Sequence, residues 1–290
     1  MVRLHVKKGD ESQFLYDTHV NANIDDVVRD IVAIYNGRLK ISRICYEIEE
    51  LAKHGTMLPP DIIGLTDEQV EELKLKDEWG EKCIPMGGWT FNKDKIDRRN
   101  GKMPNEKMQE ILTKAIEDVK IITSKKLVQE EKLVTQKTVQ DALDILRGAV
   151  MIVYPMGLPP HDVIRKEFEN TETFNNTQAS LEIIDAQLAQ LWFSGKELLP
   201  GKKIKDFLGN NEKTKVIVKL QKRGSGKPAR ELLMSEDERK QLMLHAYRRQ
   251  EELKKLEQQD DDEYLNSSWA DSSSLKRQFQ GLNNISWKPH

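Results

Sequence analysis

Few residues in this chain have the type and spacing that chemistry requires. Gly224-Ser225-Gly226-Lys227 suggests a phosphate-cradling loop, but that motif needs a glycine where Gln221 stands and a hydroxyl residue where Pro228 stands. The six histidines, His5, His19, His54, His161, His245 and His290, are scattered, with no pair at metal-ligand spacing. Cys45 and Cys83 are the two cysteines; neither belongs to a C-x-x-C pair, and each reads as a small buried hydrophobe. No nucleophile elbow, zinc-protease helix or calcium loop is present in the sequence. The expectation is therefore no enzyme, with no catalytic residue, no cofactor and no metal.

The residues that do stand out are aromatics in polar surroundings, and their chemistry is docking. Trp89 sits in the unusual run Gly87-Gly88-Trp89-Thr90-Phe91. It reads either as a docking aromatic or as part of a loop folded over a helical core. Trp192 stands beside a turn-forming Ser194-Gly195-Lys196, either as an exposed anchor or packed against neighbouring helices. Trp269, Phe279 and Trp287 lie in a Ser- and Asn-rich C-terminal stretch, the composition of a segment that orders on a partner.

Bulk properties set the frame for these side chains. The chain has 290 residues, 46 basic and 48 acidic, for a net charge of −2. That balance argues against nucleic acid and membrane surfaces as partners. Charged residues make up 32% and mean hydropathy is −0.66, so a modest core with solvated helices is expected. No apolar run suits a secretory leader or a membrane span, which points to the cytoplasm.

Period-2 alternation over Val2, Leu4 and Val6, a turn at Lys8-Gly9-Asp10 and a second strand through Phe14, Tyr16 and Thr18 predict a hairpin. A helix follows. Asn23 is its expected cap, Ile24, Val27, Val28, Ile31 and Tyr35 its apolar face, and Gly37 its expected stop. Residues 38–185 read as mostly helical, with a stripe from Ile41 to Ala52, a capping box opening at Thr66, and strong stripes at Met108–Ile122 and Val139–Val150. Residues 77–104 look like an irregular connection. Strand signals return at Leu191-Trp192-Phe193 and Val216-Ile217-Val218, with one helical turn at Ile204–Leu208 between them. Ser235 opens a charged helix that reads to residue 258, and residues 259–290 read as a flexible tail.

The first and last strand-bearing segments make sense only together, because neither can cover its own sheet. Their order resembles ubiquitin: a hairpin, a helix, a strand ending Trp192-Phe193-Ser194-Gly195-Lys196, an apolar-x-Asp-aromatic turn at Ile204-Lys205-Asp206-Phe207, and a last strand running to Arg223-Gly224. The predicted class is α+β. A split ubiquitin-like β-grasp over 1–37 and 186–222 is interrupted by a helical insertion over 38–185, then followed by a linker and charged helix over 223–258 and the tail over 259–290. The alternative is two unrelated small units around a helical domain. In the β-grasp arrangement the first strand runs parallel to the last.

The N-terminal MVRLHVKKGDESQFLYD, the run Trp192 to Leu198 and the ending Lys288-Pro289-His290 resemble the Kurly-type cilia- and flagella-associated proteins over the full length. The resemblance implies a non-enzymatic adaptor in cytoplasmic preassembly of axonemal dynein arms. Its implied partners are other preassembly factors and dynein chains. It also implies links to basal-body positioning, the cilium base and planar cell polarity. A structural component of the axoneme or basal body is the alternative.

Overall fold

The structure is a computed structural model that describes residues 1–65, 67–173, 178–229, 236–266 and 280. The N-terminal alternation forms β1 (Val2–Lys8) and β2 (Glu11–Thr18), paired antiparallel around Gly9 at φ 61°. Val2, Leu4 and Val6 face inward opposite Thr18, Tyr16 and Phe14. A left-handed residue between twisted strands favours glycine, which occupies that position here.

Helix α1 (Ile24–His54) departs from expectation: it runs straight through Gly37. Asn23 holds the cap position, but its side chain makes no capping bond and instead donates to Asp26. Gly37 does not end the helix because good helix formers follow it and Ile41, Ile44, Cys45, Ile48 and Leu51 extend the same buried stripe. Its missing side chain serves packing: a Cβ there would lie 2.5 Å from Val139 Cγ1. The real stop is Gly55, at φ 79°, whose N–H donates to the Leu51 carbonyl at 2.9 Å.

Between α1 and the next long helix lie α2 (Asp67–Glu72), α3 (Glu78–Lys82) and a small hairpin of β3 (Trp89–Phe91) and β4 (Lys102–Pro104). Residues 77–104 are thus partly ordered into regular elements, which three-residue strands are too short to announce by periodicity. Thr66 lies outside the described residues. Helices α4 (Glu106–Ile122) and α5 (Gln136–Val153) follow the predicted stripes, and Thr135 and Thr138 form the capping box of α5. A short 3₁₀ turn at Lys125–Val128 separates them. Then come α6 (Val163–Glu169) and α7 (Gln178–Glu182).

The chain returns to the sheet with β5 (Ala189–Phe193) and β6 (Lys196–Glu197), joined by Ser194 and Gly195, both at positive φ as a tight hairpin requires. The predicted helical turn is α8 (Lys205–Leu208), and β7 (Lys215–Lys222) closes the sheet. The strand order is β2-β1-β7-β5-β6, with β1 parallel to β7 in the register Leu4↔Val216 and Val6↔Val218. The two ends of the folded region therefore share one mixed sheet. Ile24 and Val27 of α1 close on Leu4, Leu191, Leu198, Ile204 and Leu208, leaving a void of about 10 Å3, no more than one water needs.

Residues Met1–Arg230 form one compact unit. The other holds α9 (Glu236–Asn266), whose described side chains are exposed. This helix passes residue 258 and runs into the acidic stretch Asp260–Glu263, because no glycine or proline interrupts it. Its expected cap, Ser235, lies outside the described residues.

Buried charge fixes the irregular segment to α1. Arg99 donates to the Glu47 carboxylate at 2.6 Å and to the Gly55 carbonyl at 2.9 Å, and Arg98 holds the other Glu47 oxygen at 2.8 Å. Beside them, Asp162 is fully buried and accepts the N–H of Met57 and of Ile164. Burial pushes its carboxyl above the ordinary range, and the Arg99 charge opposes that rise.

Two measurements test this packing. Gly37→Ala is expected to destabilise the protein by about 1–3 kcal/mol, although alanine is the better helix former. Val139→Ala empties the space the new methyl needs, so chemical denaturation of the double variant should show less loss than the sum of the singles. Simple additivity would mean that Gly37 does not set the approach of α5. Cys45 and Cys83 are both buried, as read from the sequence. Burial pushes the Cys45 thiol up from 9.0 to about 11, and Cys83 shifts the same way. The unfolded thiol of Cys45 ionises first, so its contribution to stability falls as pH rises from 9.0 towards 11. Cys45→Ala should flatten that part of the pH profile. Alkylation at neutral pH should wait for unfolding, and rapid labelling of the native protein would contradict the burial.

Candidate partner-binding surface

The expected docking aromatic Trp89 lies on β3, and alternation puts Phe91 on the same side of the strand. Trp89 is 44% exposed and Phe91 69%. The strand is held from behind: Asn92 Nδ2 donates to the Lys53 carbonyl at 2.9 Å, and His54 Nδ1 donates to the Asn92 carbonyl at 3.2 Å. Both partners belong to the last turn of α1. Gly101 makes room for the Phe91 ring, since a Cβ there would lie 2.9 Å from Phe91 Cε2.

More apolar groups gather around this hairpin. Lys102 Nζ stands 5.6 Å from the centre of the Trp89 ring and donates to the Gly80 carbonyl at 2.8 Å, which ties α3 to β4. Trp79 on α3 is exposed, with Lys82 Nζ 5.2 Å from its ring. Both indoles carry a cation at a distance that attracts it to the ring face. Ile84 and Met86 are exposed as well, and the Met86 N–H donates to the Val153 carbonyl at 2.8 Å. That bond sets the loop beside the end of α5, where Met151, Ile152 and Met156 are also exposed. Asn105 Nδ2 donates to the Gly87 carbonyl and fixes the glycine pair. A scattered exposed apolar side chain is ordinary, but aromatics and methionines collected around one anchored hairpin have the composition of a binding surface.

Trp192 lies on β5. Leu191 points to α1, so Trp192 points to the opposite face of the sheet, away from the helices. It is half-buried, and its Nε1 is covered without a hydrogen-bond partner among the described residues. The chain after β7 returns over this face. Lys219, paired with Trp192 in the register, is buried there and donates to the Ala229 carbonyl at 2.9 Å and to Asp10 at 3.3 Å. A Cβ on Gly195 would lie 2.8 Å from Lys227 Cε. The run Gly224-Ser225-Gly226, read as a flexible link, supplies that reversal with positive φ at both glycines.

Trp269, Phe279 and Trp287 lie outside the described residues. Sequence reasoning missed Trp79, Met86 and the methionines at the end of α5 as companions of Trp89. The signal available was the alternation Trp89-Thr90-Phe91 next to a glycine pair; the loop-to-helix contact leaves no local trace. Among the described residues, no cluster of three metal-ligating side chains occurs, and no helix is long and apolar enough to cross a membrane.

Comparison with known proteins gives one consistent result. The family model described as cilia- and flagella-associated protein 298 matches residues 189–285. The protein of that name from Danio rerio is 61% identical over 289 residues, covering 100% of both chains. The human one is 59% identical over 289 residues with the same coverage, and the Drosophila melanogaster one 58% over 288 residues, 99% of each. No solved structure matches the chain. Identity at this level across the whole length agrees with the resemblance carried by the N-terminal segment and the Trp192 run, and the chain belongs to the cilia- and flagella-associated protein 298 family.

Proposed function

We propose that this chain is a non-enzymatic adaptor of motile cilia that acts in the cytoplasm, in preassembly of axonemal dynein arms. Its partners in this reading are other preassembly factors and dynein chains, and its further roles lie at the cilium base, in basal-body positioning and planar cell polarity. The relatives' name associates them with cilia and flagella. The observation that carries an adaptor reading is the exposed aromatic and methionine surface around Trp89, mounted on a hairpin anchored to α1. We also propose that the mixed sheet with α1 is a split β-grasp. The long connection from the end of α1 to β5 is its helical insertion, and the tail bearing Trp269, Phe279 and Trp287 is a second docking element. The order β2-β1-β7-β5-β6, with first and last strands parallel, supports the β-grasp reading.

Two experiments test this reading. Trp89→Ala should cost about 1 kcal/mol in denaturation, because 44% of the residue is already in water. Trp192→Ala should cost about 2–4 kcal/mol, because it empties a covered site. Reversed values would exchange the anchor and structural roles of the two residues. Next, the intact chain and Trp89→Ala/Phe91→Ala should be purified from cells building motile cilia, with cytosol and axonemes analysed separately. The intact chain is expected to bring down dynein heavy chains from cytosol, and the double variant about tenfold less. Recovery in extracted axonemes at fixed stoichiometry, with no dynein in the cytosolic fraction, would replace the adaptor by a structural component.

A further inference from the structure

A cavity of about 1160 Å3 opens on the side of the compact unit where the β1–β2 turn, the middle of α1, the end of α4 and the end of β7 meet. It contains no residue of the Trp89 surface. Its charges are arranged unevenly. Three carboxylates, Asp10, Glu11 and Glu182, lie at its exposed rim. Three cations, Lys8, Arg38 and Lys222, are half-buried in its wall. Among the described residues none of these three forms an ion pair. Lys8 donates to Tyr35 Oη at 2.6 Å and weakly to the Glu182 carbonyl at 3.5 Å. Arg38 donates to the carbonyls of Gln13 at 2.6 Å and Thr123 at 2.8 Å. Lys222 donates to the carbonyls of Ser180 and Leu181. Glu11, which Lys8 attracts through space, already holds Lys125 at 2.7 Å. Removed from water without a counter-ion, a cation is left under-compensated. Burial accordingly weakens the hold of Arg38 on its proton.

The remaining lining specifies what kind of anion fits. Leu39, Ile41, Ile184 and Leu220 supply apolar wall, and Tyr35 lies beneath Lys8, 4.8 Å from its ammonium. Leu220 and Lys222 share one face of β7, so the apolar wall and the cation stand side by side. Phosphate fits poorly. The wall includes the C-terminal end of α4, the negative end of its dipole, which opposes a doubly charged phosphate more than a singly charged carboxylate. A carboxylate beside an apolar side chain meets both the cations and the apolar wall.

We propose that this cavity binds a short acidic peptide segment of a partner protein, its carboxylate against Lys8, Arg38 and Lys222 and an apolar side chain on Leu39 and Ile184. The segment is distinct from whatever binds at Trp89, so the site stands whether or not the adaptor reading holds.

The test is fluorescence polarisation of the full-length protein with a labelled peptide of alternating Glu and Leu, against one of alternating Gln and Leu. The acidic peptide should bind, and more weakly as salt rises. Lys8→Gln and Lys222→Gln should each weaken it about tenfold, the scale of one charge-assisted hydrogen bond. Lys107→Gln, exposed and outside the cavity, should leave it unchanged. These lysine variants avoid Arg38, whose bonds tie β2 to α4 and whose loss would confuse binding with folding. No binding of the acidic peptide, equal binding of the Gln peptide, equal affinity in all three variants, or stronger displacement by pyrophosphate than by unlabelled peptide would each overturn the proposal.

Discussion

One rod serves two cores. Helix α1 is 31 residues long and rigid, and both halves of its apolar stripe are buried. Its first turns lie on the sheet, with Ile24 and Val27 against Leu4 and Leu191. Its later turns pack against α4, α5 and α6, burying Ile41, Ile44, Ile48 and Leu51. A continuous helix cannot move one end without carrying the other, so the sheet and the helical block are fixed relative to each other through it. Close approach of α5 at Gly37 depends on the same constraint, since the helix must stay helical where its neighbour comes nearest.

The end of this rod organises the segment that carries the exposed aromatics. Gly55 terminates α1, and Arg99 bridges its carbonyl to Glu47 about two turns earlier. A buried ion pair of this kind contributes little net stability compared with an apolar replacement, but losing one partner strands the other charge. The pair therefore specifies where the segment goes. Lys53 and His54 then fix Asn92 at the foot of the hairpin. Trp89 and Phe91 are thus carried on a braced mount.

The sheet's outer face bears on function in the opposite sense. At Trp192 and Lys219 it is occupied by the chain's own return after β7, and Lys219 is buried by it. The exposed apolar surface lies instead on the hairpin and the end of α5, and the under-compensated cations lie in a separate cavity at the sheet's end. These are two surfaces of unlike chemistry on one compact unit.

Local signals were enough for every element whose pattern repeats. Alternation in Val2–Val6 and Val216–Leu220 marked the strands, the stripes in Met108–Ile122 and Val139–Val150 marked α4 and α5, and Ser194-Gly195 marked a hairpin. The pairing of the first strand with the last was also legible, because neither segment could bury its own apolar face. The sequence by itself thus determined the periodic elements, the mixed α and β class and the family. Tertiary structure decided what depends on a distant neighbour. Gly37 looks like a stop until Val139 is seen against it, Trp192 is open to two readings until the sheet puts it on the face opposite Leu191, and Lys8, Arg38 and Lys222 are far apart in the chain until folding leaves them in one wall with no ion pair among the described residues. Propensity and periodicity act over a turn or a strand, whereas burial and electrostatics act through space, and only the folded chain shows which residues share it.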